Sequence, residues 1–267
     1  MQSATNPIDG VRIAYETYGD GPPLLLVHGS ALTHSIWRAF GYVKALRDSY
    51  RLILVDMRGH GRSDKPHDQA AYSRDLIVTD LIAVLDAEAI DSAHYFGYSF
   101  GARTGLAFAV QAPERLRSII IGAGTHRRQD GIFDRLFFPG CVDTLERDGM
   151  DAFLDRWGQT RDFPIDSGTR AVFRANDSEA LVAYFRQSER EEGLPDNALR
   201  AIALPTLVFV GSLDTDRIED SRAAAALIPD AELHVIDGFD HGTALAATPE
   251  VLEFVTPFLA SSTAPTE

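Results

Sequence analysis

Ser99 is the residue of this chain best placed to do chemistry. It stands in HYFGYSFGART, residues 94–104, with Gly97 and Gly101 two positions to either side. An apolar run precedes it and a helix-forming run, ARTGLAFAV, follows. In a strand–G-x-S-x-G–helix turn the serine takes the apex of a very tight bend and its backbone is strained. The two glycine positions must lack side chains so that strand and helix can pass close to the turn. The hydroxyl is then held above the end of a sheet, at a helix N-terminus whose dipole favours developing negative charge. A bare G-x-S-x-G says little, because both residue types are common. The strand before it and the helix after it give it weight.

A serine nucleophile needs a base. The histidines are His28, His34, His60, His67, His94, His126, His234 and His241. His94 and His234 fall inside expected strands and read as core residues. His28 closes a strand in VHGS, and His60 lies in a turn-rich stretch. His241 lies in DGFDHGT, between the last expected strand and the last helix. Open α/β sheets gather ligands and chemistry at the carboxyl ends of their strands. His241 and Ser99 therefore share an edge, and His241 is the expected base. The base needs an orienting acid, and VGSLDTD supplies Asp214 and Asp216 just beyond one strand. Asp214 is preferred and Asp216 is the runner-up; Asp240 adjoins His241 and is poorly placed to orient it. The chain order Ser99, Asp214, His241 is one known triad order. An oxyanion needs preorganised N–H donors. One is the N–H of Phe100. The other should come from the loop after residues 24–27, where Gly29 lets the backbone approach. Ser30 is preferred there, with Ala31 a close second.

The elements that must position these residues follow from the apolar pattern. Short apolar runs at 11–18, 24–27, 52–55, 93–98, 116–121, 206–210 and 232–236 read as strands. Helical spacing appears at 36–46, at 73–89 with Ser73 as N-cap, and at 100–111, 220–227 and 249–260. This alternation is the signature of a mostly parallel sheet with helices on both faces. From 126 to about 200 only helical segments and loops appear, such as 142–157 and 178–189. The expected organisation is a core of residues 1–124 and 201–267, interrupted by a helical cap at 125–200.

Five stretches, LLLVHGSALTHSIW, LVDMRGHGRSDKP, HYFGYSFGA, PTLVFVGSLDTD and GFDHG, occur in this order and span essentially the whole chain. Together they resemble the α/β-hydrolase family. The resemblance implies the α/β-hydrolase fold: a mostly parallel sheet of about eight strands flanked by helices, with a cap inserted after 116–121. It makes Asp56, His60 and Asp64 of DMRGHGRSD structural residues of the loop after the fourth strand. Haloalkane dehalogenases and epoxide hydrolases of the family carry aspartate at the nucleophile position, so Ser99 implies acyl transfer instead. His241 would take the Ser99 proton, an acyl-enzyme would form and water would deacylate it, with Asp214 holding the imidazole tautomer. No metal or organic cofactor is implied.

The rest of the composition bounds the partners. A net charge of −14 argues against nucleic acid and anionic membranes, which need a basic patch. The single cysteine, Cys141, permits no intrachain disulfide and reads as a buried apolar residue. MQSATNPIDG has neither the basic nor the apolar part of a signal peptide, no stretch approaches a membrane span, and the expectation is a cytoplasmic monomer or homodimer. The ending SSTAPTE reads as a frayed tail. Aromatic residues crowd the cap, among them Phe137, Phe153, Trp157, Phe163 and Tyr184, and most should form its own core. Those facing the sheet would line an apolar pocket with Gly29, Ala31, Trp37, Phe239 and, at the hinge, His126. HRRQD, residues 126–130, reads as a solvated face. The expected activity is hydrolysis of a small to medium ester with an apolar or aromatic part. Carbon–carbon hydrolase, lactonase or perhydrolase chemistry could use the same residues, and a slow-turnover ligand receptor could share the fold.

Overall fold

The computed structural model describes residues 1–161 and 164–263. Among these residues eight strands form one sheet: β1 (Gln2–Thr5), β2 (Arg12–Tyr18), β3 (Pro23–Val27), β4 (Arg51–Val55), β5 (Ala93–Tyr98), β6 (Leu116–Gly122), β7 (Thr206–Gly211) and β8 (Ala231–Ile236). Their order is β1-β2-β4-β3-β5-β6-β7-β8. β1–β2 and β2–β4 pair antiparallel and all other neighbours pair parallel. PLLLV, RLILV and TLVFVG are near-continuous apolar runs because both faces of these central strands are covered. β1 has no such run. Its polar QSAT sequence is held as an edge strand by register with β2, so the apolar pattern alone does not announce it.

Alternate residues of each strand serve two cores. Leu24 and Leu26 of β3 face one, and Leu25 and Val27 the other. The first is covered by α1 (Ile36–Ala39) and α2 (Tyr42–Leu46), the second by α3 (Arg74–Ala87) and α4 (Phe100–Gln111). The single helix expected over 36–46 is two, because Gly41 turns left-handed at φ 94° and starts the second as its N-cap. Ser73 is the N-cap of α3, as its position suggests, but its side chain makes no capping bond. A Glu191 carboxylate oxygen accepts from the Arg74 N–H instead.

Between β6 and β7 the chain leaves the sheet for α5 (Ile132–Leu136), α6 (Cys141–Gln159), α7 (Ser167–Arg174), α8 (Ser178–Arg190) and α9 (Asp196–Arg200). Phe137, Phe153, Trp157 and Phe173 pack against one another there, with ring centroids 5.0 to 6.3 Å apart. Phe163 lies outside the described residues. Cys141 is buried, and burial with the nearby Asp134 carboxylate pushes its thiol up to about 12. α10 (Ile218–Leu227) and α11 (Thr248–Thr263) then complete the two faces. Residues 261–263, expected to fray, continue α11; residues 264–267 lie outside the described residues. No described helix is long and apolar enough to cross a membrane.

The loop after β4 is a buried polar knot. Asp56 accepts from the His34 N–H at 2.8 Å and the Arg62 N–H at 2.9 Å, and lies 2.8 Å from His34 Nδ1. Asp64 accepts from the Arg12 N–H at 2.8 Å. Arg58 is fully buried against Asp80 and also reaches Asp9. Burial pushes His60 down to about 3 and His94 to about 4, and lowers His28. These rings are neutral when folded, whereas an unfolded histidine takes its proton near pH 6.5. The unfolded chain therefore binds more protons as the pH falls, and stability is lost from there down to the folded pKa. His60 and His94 should each cost about 2 kcal/mol at about pH 5. Calorimetric melting temperatures should fall steadily from pH 7 to pH 5; a flat profile would contradict the neutral buried rings.

Candidate active site

β5 ends in Tyr98 and α4 begins at Phe100, leaving Ser99 alone to turn the chain. Its backbone is at φ 52° and ψ −106°, a strained conformation for a residue with a Cβ. The turn is pinned by Ser99 N–H to Gly122 O at 2.8 Å and Gly101 N–H to His28 O at 3.1 Å. The flanking glycines are needed for space. A Cβ on Gly97 would lie 2.3 Å from Gly101 O, and one on Gly101 would lie 2.2 Å from Val27 O. These are backbone atoms of packed elements and cannot swing aside. Gly101→Ala should therefore lower stability by about 2–3 kcal/mol in a denaturant titration, in the range of overpacked cores; an unchanged midpoint would refute the tight-turn account.

Two other strand ends deliver the partners. Beyond β7, Asp214 is buried, its N–H bonded to Gly211 O at 3.1 Å. Beyond β8, His241 is held by Tyr98, whose hydroxyl donates to His241 O at 2.6 Å. His241 Nδ1 lies 2.7 Å from Asp214 Oδ2, and Nε2 lies 2.9 Å from Ser99 Oγ. A carboxylate only accepts, so the Nδ1 proton points to Asp214. Nε2 is then left as an acceptor for the serine hydroxyl. The acid is 2% exposed and the histidine 20% exposed, so the orienting bond is shielded while the base still reaches solvent. Asp216, the alternative acid, faces the other way and pairs with Arg135 of α5 at 3.1 Å.

The Phe100 and Ser30 N–H groups make no hydrogen bond among the described residues; Phe100 directly follows Ser99, and Ser30 directly follows Gly29. A Cβ on Gly29 would be 3.4 Å from Ser99 Cβ, so this loop does press against the serine. His28 fixes its base: Nδ1 lies 2.8 Å from Gly29 O while Nε2 accepts from the Met57 N–H at 3.1 Å. Ala31 sits in the left-handed region at φ 59°.

The expected pocket needs correcting. Trp37 is fully buried in the core beneath α1 and α2, edge-on to Phe96 at 4.8 Å and to Tyr42 at 5.3 Å. Ala31 is also fully buried, its methyl part of the opposite core. His126 is 3% exposed at the hinge, with Nε2 3.4 Å from Asp196 and its carbonyl taking the Leu194 N–H. Phe239 packs partly against the α11-side core, and its carbonyl accepts from the Leu213 N–H. Tertiary packing thus claims Trp37, Ala31 and His126, which sequence position alone had sent to the cleft, whereas Phe239 stays partly exposed. Arg127 and Arg128 face Asp220, Asp130 and Glu192 on the surface.

Two further residues touch the site's surroundings: Tyr184, which sequence places only among the cap aromatics, and Arg103, which it does not single out. Tyr184 of α8 bonds Ser30, a partner 154 positions away. Arg103, one helical turn after Ser99, is buried and gives Nη1 to Ser188 O and Gln129. Beside it Phe100, Tyr184 and Glu191 help enclose about 20 Å³, room for a water and not for a substrate. Among the described residues no group of three or more histidine, cysteine, aspartate or glutamate side chains is arranged to hold a metal ion.

Comparison with known proteins points the same way as the topology. The family profile described as alpha/beta hydrolase fold matches residues 22–138. The chain is 30% identical over 263 residues to the 2-hydroxymuconate semialdehyde hydrolase of Pseudomonas sp. (strain CF600), covering 96% of this chain and 93% of that protein. The enol-lactonase from Burkholderia xenovorans LB400 superposes with a TM-score of 0.83 at 22% identity, over 97% of this chain and 100% of that one. A carboxylesterase structure from Nitrososphaera gargenis gives 0.86 at 23% identity, over 98% and 99%. At those identities the structural likeness is one of fold.

Proposed function

The chain belongs to the α/β-hydrolase fold family, and on that premise we propose that it is a serine hydrolase of carboxylic esters, working through an acyl-enzyme on Ser99. The observation that carries the proposal is the continuous line from Ser99 Oγ through His241 to Asp214, at 2.9 and 2.7 Å. His241 Nε2 takes the hydroxyl proton as Oγ attacks the ester carbonyl. The oxyanion is met by the N–H groups of Phe100 and Ser30, and the helix dipole of α4 adds to their field. The imidazolium gives its proton to the leaving alcohol, and the same residues then activate water against the acyl-enzyme. Asp214 stabilises the imidazolium and fixes its tautomer. Residues 125–200 act as a cap over this edge of the sheet, and small to medium apolar or aromatic esters are the substrates. No cofactor has a step in this sequence.

A second reading rests on the 30% identical relative, whose name describes a hydrolase of 2-hydroxymuconate semialdehyde. Hydrolysis of that compound is carbon–carbon bond cleavage, the alternative chemistry for the same three residues. The test is steady-state hydrolysis of p-nitrophenyl esters of increasing acyl length, run beside 2-hydroxymuconate semialdehyde. Multiple turnovers on esters, with a maximum at one acyl length, support the esterase and size its pocket. Turnover of the semialdehyde alone moves the function to carbon–carbon cleavage. Turnover of neither, by folded protein, rejects both.

A further inference from the structure

We propose that Tyr184, on the helical insertion, is a positioning residue for the oxyanion hole, so that the hole is complete only when the insertion is seated. The inference rests on the Ser99 reading above. The two expected donors come from different loops and are held very differently. Phe100 opens α4, whose start is pinned at Ser99 N–H, Gly101 N–H and Arg103 N–H. Ser30 belongs to a loop with little backbone support. The N–H groups of Ser30 and Ala31 make no hydrogen bond among the described residues, and Leu32 N–H to Gly29 O is long at 3.3 Å. Ala31 is left-handed at φ 59°, a conformation that persists in a non-glycine residue only when its surroundings enforce it.

The insertion supplies that enforcement. Tyr184 Oη lies 2.7 Å from Ser30 Oγ. Asn176, between α7 and α8, gives Nδ2–H to Ala31 O at 3.0 Å. The Tyr184 ring also rests on the Phe100 ring, centroids 4.4 Å apart, and is 3% exposed. One rigid side chain therefore touches both residues whose N–H groups would face the oxyanion, and so sets the gap between them. His60 and Tyr72 hold the ring from other sides at 5.4 and 6.0 Å. An oxyanion donor acts through its fixed direction, so a loosely held Ser30 loop costs rate in the transition state more than it costs substrate binding.

The test uses two conservative variants, Tyr184→Phe and Ser30→Ala. Tyr184→Phe keeps the ring against Phe100 and removes the hydroxyl that bonds Ser30. The readout is the second-order rate of Ser99 labelling by a p-nitrophenyl alkylphosphonate. Ser99 Oγ attacks phosphorus as His241 Nε2 takes its proton, p-nitrophenolate leaves, and the phosphoryl oxygen enters the hole. Each variant should label roughly tenfold more slowly, less than the loss of a whole donor. The double variant should be no slower than either single one, because both remove the same bond. On an ester substrate the loss should fall on kcat, with KM little changed. A Tyr184→Phe rate equal to wild type, or additive losses, overturns the proposal while leaving the Ser99 nucleophile intact. Absence of Ser99 labelling in folded wild type overturns both. Tenfold slowing together with no ester turnover keeps the positioning role and removes only the esterase assignment.

Discussion

Ser99→Ala is expected to lower ester turnover by on the order of 10⁴-fold or more, with the fold intact. The magnitude follows from the geometry. Without Oγ no acyl-enzyme can form, and His241 Nε2 has no hydroxyl 2.9 Å away to deprotonate. What remains is water attack assisted by the oxyanion donors and by substrate binding. His241→Ala should cost about the same, because an unassisted serine hydroxyl is a weak nucleophile. The double variant should lose little more, since residues that act as one unit are not additive. Fold retention is expected because neither side chain carries core packing: Ser99 bonds through its backbone to Gly122 O, and the His241 loop is held by Tyr98 through a backbone carbonyl. Steady-state kinetics beside a thermal melt decides it. A Ser99→Ala protein that still turns over esters, after its mass has been verified, removes the nucleophile from Ser99.

The second large effect separates two aspartates two residues apart. Asp214→Asn should lower kcat by on the order of 10⁴-fold, while Asp216→Asn should change it less than about threefold. An asparagine at 214 can offer an N–H to His241 Nδ1. That favours the tautomer whose proton is on Nε2, which cannot accept from Ser99. The bond being lost is 2.7 Å long, and Asp214 is 2% exposed, so water is poorly placed to replace it. Asp216 instead pairs with Arg135, 53% exposed, and such solvated pairs contribute little. Equal losses, or a larger loss at Asp216, would refute this division of roles. Since Arg135 belongs to the insertion, a change in KM for Asp216→Asn would report on how firmly the insertion is seated rather than on proton transfer.

Much of this protein is determined by sequence alone. Apolar runs buried on both faces have no other home than a parallel sheet, so LLLV, LILV, AHYFGY and TLVFV announce their strands directly. The glycines around Ser99 are required by backbone atoms within 2.3 Å of the missing side chains, and that local need is visible as G-x-S-x-G. The carboxyl ends of successive strands share an edge, and so Ser99, Asp214 and His241 could be assigned to one place before any distance was known. Tertiary structure decided whatever depends on which residues meet across long separations. β1 exists because β2 pairs with it, not because QSAT is apolar. The split at Gly41 depends on a left-handed turn that helical spacing does not register. Sequence prefers Asp214 and leaves Asp216 as runner-up because both lie just beyond β7; the direction each side chain takes, one to His241 and the other to Arg135, separates them. Trp37 and Ala31 look available to a ligand in sequence, yet packing against Phe96 and the α4-side core uses them up. The bond between Ser30 and Tyr184 joins residues with no shared pattern, because a hydrogen bond across the fold is specified by where the insertion docks and leaves no periodicity in the chain.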